Sequence, residues 1–259
     1  MKTTRMERVF KMHRFFVSAD DIRGDIAYID KQEARHIKKV LRLKAGDEVI
    51  LFDGSGQEYR ALLMESGNNV LSARITEISI KEDSPDISLC LVQGIAKGDK
   101  MDNIIQKATE IGAAVIYPLS SERTIVRLQG DNAVKKVSRW QHIAREACKQ
   151  CRRNVVPLIK PVMEIDQVCQ EIGEFPALML YENEQNNRLR QVLNSIKETV
   201  LANGKIFLIV GPEGGFSEVE VEKARIQGVK IASLGPRILR TETAGIAASS
   251  IIMYEYDLM

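Results

Sequence analysis

The 259-residue sequence predicts an α/β chain in two parts. A small β-barrel-like domain comes first, followed by a larger domain built on a mostly parallel sheet covered by helices. Three observations carry that expectation. Residues 15–80 read as short strands of period two. Residues 81–86 (Lys-Glu-Asp-Ser-Pro-Asp) are polar, charged and broken by proline. Beyond them the rhythm changes to apolar strand, then helix, repeated, which is the pattern of a parallel sheet with both faces covered. The expected organisation is an extension over 1–12, a barrel domain over 13–82 and an α/β domain over 83–259.

In the first part, Glu48–Phe52, Tyr59–Met64 and Val70–Ile78 read as strands. They are separated by the turns Asp53-Gly54-Ser55-Gly56 and Gly67-Asn68-Asn69. One helix is expected near Lys31–Val40. In the second part, Ile87–Gln93, Val115–Leu119, Ala177–Tyr181, Lys205–Val210 and Val229–Leu234 are buried-strand candidates. Helices are expected over Lys100–Ile111 (stopped by Gly112), Asp131–Cys151, Asn187–Ala202 and Glu218–Gln227. Ala244–Ile252 reads as a helix apolar all round, which must be buried in a core or at a subunit interface.

The composition is 44% hydrophobic and 28% charged, which excludes disorder and low-complexity sequence. The longest mostly apolar stretch, Ile246–Met253, falls far short of the roughly 18 residues of a membrane span. Four cysteines in a chain of this length make no disulfide framework. Cys148 and Cys151 form a lone CxxC late in a predicted helix, which reads as structural, and reduced thiols in the cytosol are expected. None of the three histidines stands at ligand spacing from cysteine or carboxylate, so a metal-free site is expected. Before His13, Lys2, Arg5, Arg8 and Lys11 recur every three residues with no apolar signal core after them. An RNA-facing arm, a mitochondrial address and a frayed extension all fit this segment.

Net charge is only +2, yet residues 121–160 carry ten Lys/Arg against three Asp/Glu. Such a block fits a polyanion-binding face and equally a solvated helix surface. The sharpest local feature is the run from Phe207 to Glu220, where a buried strand enters a Gly/Pro loop and Ser217 with Glu220 forms a capping box. Ligands in open α/β sheets bind beyond the carboxyl ends of strands, so the loop is well placed. It lacks the Lys-Ser/Thr of a P-loop and the spacing of a dinucleotide fingerprint, which points to a nucleotide-like ligand held by backbone. A plain strand-to-helix turn is the alternative. The second feature is the run from Ser233 to Gly245, another strand end, Gly-Pro loop and helix start. There Thr241 or Thr243 can cap the helix, Glu242 suits its macrodipole, and Arg237 and Arg240 are not explained by packing.

These loops, Ile209-Val210-Gly211-Pro212-Glu213-Gly214-Gly215-Phe216 and the run Leu234 to Ala244, resemble those of the RsmE family. Its members are small-subunit ribosomal RNA uridine N3-methyltransferases of the SPOUT superfamily. The runs Lys97–Asp102, Gln106–Gly112 and Ser121-Glu122-Arg123 are similar to that family. So are Gln150-Cys151-Arg152-Arg153 with Pro157, and His13-Arg14-Phe15-Phe16 with His36 and Val40-Leu41-Arg42. The extension before His13 departs from the family pattern, as does Arg152, where a small residue is usual.

The resemblance implies a PUA-like RNA-binding domain, an α/β domain whose C-terminal segment forms a trefoil knot, a homodimer, and S-adenosylmethionine as donor. It places the donor among three loops, on Leu180, Tyr181, Glu182, Val210, Gly211, Pro212, Glu213, Gly214, Gly215, Leu234, Gly235, Ile238 and Leu239. Uridine N3 attacks poorly while protonated, so Arg240 is the candidate for stabilising charge on the uracil oxygens. Glu242 is a candidate to orient Arg240 or accept the proton, or is simply a helix-start charge. Phosphate contacts are assigned to His13, Arg14, Arg42, Lys97, Lys100, Arg123, Arg152 and Arg153. Trp140 is expected in the core. Two rivals remain at this point: a non-catalytic RNA-binding or ribosome-assembly factor of the same fold, and an unrelated α/β enzyme of small molecules.

Overall fold

A computed structural model describes residues 12–65, 71–80 and 86–258. The extension over 1–11, the expected turn at Gly67–Asn69 and most of the proline-broken junction lie outside the described residues. The chain divides into two compact units: Met1–Asp83 with Cys148–Val156, and Ser84–Ala147 with Pro157–Met259.

The first unit contains β1 (Arg14–Phe16), β2 (Ile22–Arg23), β3 (Ile26–Ile29), β4 (Glu48–Phe52), β5 (Gln57–Glu65) and β6 (Leu71–Ile80). They form one sheet in the order β1-β4-β5-β6-β3-β2, with β1 and β4 parallel and every other pair antiparallel. Val49, Leu51, Tyr59, Ala61 and Leu63 alternate inward and pack with Phe15, Ala27, Ile29 and Ile37. Helix α1 (Lys31–Arg35) starts where the Asp30 carboxylate accepts the amides of Gln32 (2.7 Å) and Glu33 (2.9 Å). The helix expected to run to Val40 instead widens to a π-helical segment, His36–Leu41, stopped by Arg42 in the left-handed region at φ 56°. The stretch Cys148–Val156 belongs here: the amide of Val156 donates to Gly54 O at 3.1 Å, and Asn154 is buried.

In the second unit, β7 (Ser88–Gly94), β8 (Val115–Leu119), β9 (Leu158–Ile159), β10 (Ala177–Leu180), β11 (Lys205–Val210) and β12 (Lys230–Ala232) form a wholly parallel sheet. Its order is β12-β10-β11-β7-β8-β9. Near-continuous apolar strands such as Ile206-Phe207-Leu208-Ile209-Val210, buried throughout, are what a sheet covered on both sides requires. One face (Val92, Leu119, Met179, Phe207, Ile209, Ile231) packs on α4 (Ile165–Ile172) and α6 (Glu218–Ile226). The other meets α5 (Leu189–Asn203) and α7 (Thr241–Glu255), and α7 packs on α2 (Lys100–Ile111). Helix α3 (Gly130–Cys151) buries Trp140, as expected of a core residue.

Helix α7 begins three residues earlier than its apolar pattern suggested. Its N-cap is Arg240, with no side-chain cap, so neither Thr241 nor Thr243 plays that part. Within the chain Ala248, Ile252 and Met253 are buried, and Ile251 and Tyr254 are exposed. No helix among the described residues is long and apolar enough to cross a membrane.

Candidate active site

The carboxyl ends of β10, β11 and β12 open into three loops, which surround a cavity of about 770 Å³. That volume lies within the roughly 300–1,000 Å³ typical of small-molecule sites. The loops are tied together by backbone. Tyr181 N donates to Ala232 O (3.0 Å), Leu189 N to Ser233 O (2.9 Å) and Ser233 N to Asn187 O (2.8 Å), which joins the loop after β10 to the end of β12.

The loop after β11 is held to β7. A Cβ on Gly94 would lie 2.3 Å from Pro212 N, so the last residue of β7 must be glycine for the loop to pass. Next to it, Gln93 is fully buried and its Nε2 donates to Gly94 O (3.0 Å) and Thr241 Oγ1 (2.9 Å). Thr241 Oγ1 in turn donates to Gly211 O (2.5 Å). A buried polar chain therefore runs from β7 through the first residue of α7 to the loop after β11. Gly215 turns that loop with φ 68°, and a Cβ there would fall 2.5 Å from Glu182 Oε1. The Gly215 amide closes the turn onto Pro212 O (3.0 Å), and its bare Cα leaves room for a ligand beside the Glu182 carboxylate.

Lys100 lines the cavity with its ammonium 3.0 Å from Glu213 Oε1 and 3.9 Å from Glu242 Oε2. Burial pushes the Glu213 carboxyl up. Hydrogen bonds from its own backbone, from Lys100 Nζ and from the Lys97 amide outweigh that and hold it below the ordinary glutamate value. Glu184 behaves alike: burial raises it, but the amides of Asn186 (2.8 Å) and Asn187 (3.0 Å) on its Oε1 draw it down.

The structure brings the expected donor-site residues together with one exception. Residues 180–182, 210–213, 215, 234, 235, 238 and 239 all line the cavity, as does Arg240. Gly214 does not; it abuts Arg123, whose Nη1 donates to Gly214 O at 3.3 Å. Glu242 is also off the cavity lining, and its carboxylate faces Lys100 rather than Arg240. Of the expected phosphate contacts, Lys97, Lys100 and Arg123 each touch the loop after β11. In the first unit, His13 and Arg42 are exposed and Arg152 and Arg153 half-buried, with Arg152 at φ 66°.

Arg14 corrects the expectation. Its guanidinium is buried against Glu58, hydrogen-bonds Asn154 Oδ1 at 2.5 Å and lies over the Phe52 ring at 5.1 Å, so its charge is neutralised inside the unit and not offered to phosphate. Gln93, Gly94, Glu184 and Arg188 were missed in the sequence. A polar Gln-Gly pair closing an apolar strand at its carboxyl end was the available signal. Cys148 is buried with its thiol pushed up by the Cys151 hydrogen bond and by burial, and it contacts Val155 O at 3.6 Å. Among the described residues, no group of three or more His, Cys, Asp or Glu could hold a metal.

A glycine-lined cavity over the carboxyl ends of a parallel sheet defines a binder of a nucleotide-like cofactor. The class becomes specific by comparison: residues 82–253 match the family model described as an RNA methyltransferase domain, and residues 29–79 match an RNA methyltransferase PUA domain. The ribosomal RNA small subunit methyltransferase E of Bacillus subtilis is 34% identical over 232 residues, 89% of this chain and 91% of the relative. The Neisseria gonorrhoeae protein of that name, solved bound to S-adenosylmethionine, is 32% identical with a TM-score of 0.81, covering 94% of this chain and 98% of that one. A methyltransferase from Legionella pneumophila, solved in complex with S-adenosylmethionine, is 30% identical with a TM-score of 0.84, covering 95% of this chain and 98% of that one. The chain belongs to the RsmE family, the ribosomal RNA small subunit methyltransferases E.

Proposed function

We propose that the protein transfers a methyl group from S-adenosylmethionine to N3 of a uridine in small-subunit ribosomal RNA. The observation that carries this is the cavity itself: three strand-end loops, bare of Cβ at Gly211 and Gly215, enclose about 770 Å³ in a chain of that family. The donor fits the residues present. Backbone at 211–213, 215 and 234–239 suits its adenine and methionine, and the Glu182 carboxylate beside Gly215 suits its hydroxyl or ammonium donors. When bound it supplies an electrophilic sulfonium methyl.

The chain's own residues do the rest. The loops hold donor and acceptor in line, which is the main source of rate in such transfers. Arg240, exposed at the cavity edge, stabilises negative charge on the uracil carbonyl oxygens as N3 gives its proton to solvent water, and the methyl then passes to N3 with S-adenosylhomocysteine as leaving group. Glu242 acts at one remove: with Glu213 it holds Lys100 at the cavity edge. N3 takes part in base pairing, so the target base is unpaired or swung out. His13, Arg42, Arg152 and Arg153 on the first unit, with Lys97 and Arg123 on the second, contact RNA phosphate.

Two architectural proposals accompany this. The chain leaves β12 at the sheet edge, beyond β10, and returns as α7 against β7 and β11; we read that return as the threading of a trefoil knot. Ile251 (44% exposed) and Tyr254 (76%) on α7 are apolar surface that a second copy would cover in a homodimer. The domain limits proposed are 13–82 and 83–259, amended by the stretch Cys148–Val156, which groups with the first unit, and the protein acts in the cytosol on rRNA or the assembled small subunit.

The test is transfer of labelled methyl from S-adenosylmethionine to small subunits lacking the modification, followed by nucleoside mapping. One N3-methyluridine in the small-subunit RNA is expected. No label, or label in another nucleoside, overturns the proposal.

A further inference from the structure

We infer that Arg188 and Arg237 clamp the RNA phosphates flanking the target nucleotide, an inference that rests on the rRNA methylation proposed above. Arg188, Arg237 and Arg240 all line the donor cavity, and all three are exposed. Among the described residues none of their guanidinium groups has a hydrogen-bond or ion-pair partner. The other charged groups of the lining differ. Lys100 is paired with Glu213 at 3.0 Å, Glu184 accepts two backbone amides, and Glu182 lies against Gly215.

The two arginines are free at the tip and fixed at the root. The backbone at Arg188 is held on both sides: its amide donates to Gln191 Oε1 (2.9 Å), and the Leu189 amide donates to Ser233 O (2.9 Å). That second bond joins it to the strand end from which the Arg237 loop departs, and Arg237 itself follows Pro236, whose φ is locked by its ring. Among the described residues, three guanidinium groups with no direct ion-pair partner line one cavity and outnumber the two lining carboxylates outside an ion pair, Glu182 and Glu184, which leaves a surplus of positive charge for an anion. Arg240 is committed to the uracil carbonyl oxygens in the methylation proposed above. Two remain, and a nucleotide within a strand brings two flanking phosphates, for which the guanidinium fork is the matching side chain. The local acidity of residues 161–200, with seven Asp/Glu against three Lys/Arg, hid Arg188 from charge counting.

The experiment compares wild type with the double variant R188Q/R237Q, titrating a small-subunit rRNA transcript over a salt series and S-adenosylmethionine by calorimetry. Each phosphate contact contributes about 0.7–0.9 to the slope of log affinity against log salt, so the double variant is expected to lose roughly 1.4–1.8 of that slope. Donor affinity stays at the wild-type value, which also shows the variant to be folded. An unchanged salt slope overturns the inference. Lost donor affinity with the slope intact also overturns it, because the arginines then hold the donor's carboxylate. Failure of the methylation proposal reads differently: the wild-type protein itself then places no methyl group on small-subunit RNA.

Discussion

The buried chain Gln93–Thr241–Gly211 gives the most quantitative prediction. Thr241→Val keeps the side-chain shape and removes the hydroxyl, which abolishes the 2.9 Å bond from Gln93 Nε2 and the 2.5 Å bond to Gly211 O. Two neutral hydrogen bonds at about 0.5–1.5 kcal/mol each make the expected loss about 1–3 kcal/mol, with Gly211 O left short of a donor. For a chain of this size that is a fall in Tm of about 4–8 °C at the central value. Because the bonds hold the loop after β11, the donor site feels the change. If all of a 2 kcal/mol loss fell on loop order, affinity for S-adenosylmethionine would drop about 30-fold, and the 3 kcal/mol end of the range sets a ceiling of about 160-fold. The assay is thermal denaturation and calorimetric donor titration on a double-mutant cycle with Gln93→Leu. Coupling of at least about 0.5 kcal/mol is expected. A Thr241→Val protein that melts and binds like wild type, or strictly additive losses in the cycle, would refute the idea that this chain organises the site.

Three further outcomes follow from particular contacts. Arg240→Ala is expected to cut the methyl-transfer rate about 10²–10³-fold while leaving donor affinity intact, and single-turnover kinetics separates the two. Glu213, whose carboxyl is held below its ordinary value, contributes stability present above the unfolded glutamate pKa of about 4.3 and lost as pH falls through the lower folded value. Denaturant midpoints of wild type and Glu213→Gln should therefore differ at neutral pH and converge in acid; a difference that persists in acid argues against this. Arg14→Met removes the buried guanidinium that pairs with Glu58 and hydrogen-bonds Asn154 and should destabilise the first unit by about 1.5–3 kcal/mol, measured by urea unfolding.

Periodicity made the second unit largely legible. Strands β8 and β11 fall where the sequence placed them, because five apolar residues in a row have few other solutions, and helix α2 does so because Met101, Ile104, Ile105 and Ala108 recur at helical spacing before Gly112. Helix α4 escaped notice although Ile165, Val168, Cys169 and Ile172 recur at i, i+3, i+4 and i+7. Only eight residues long, it offers two turns of pattern. The strands β1, β2 and β3 have two to four residues each, too few for alternation to register, and their existence depends on pairing with β4 and β6. At the site, the loops were legible because glycine and proline mark them. Gln93 was not, since a buried glutamine at a strand end looks like any polar boundary until Thr241, 148 positions away, is brought to it. Arg14 misled for a related reason. A positive charge in sequence says nothing of the carboxylate at Glu58 that folding sets beside it.

A crystal structure of the protein soaked with S-adenosylmethionine tests the central claim most directly. Density for the donor should fill the cavity among residues 180–182, 211–215 and 234–239, with its methyl directed toward the edge where Arg240 stands. Donor density at another place on the chain, or a cavity that stays empty at saturating donor, would contradict it.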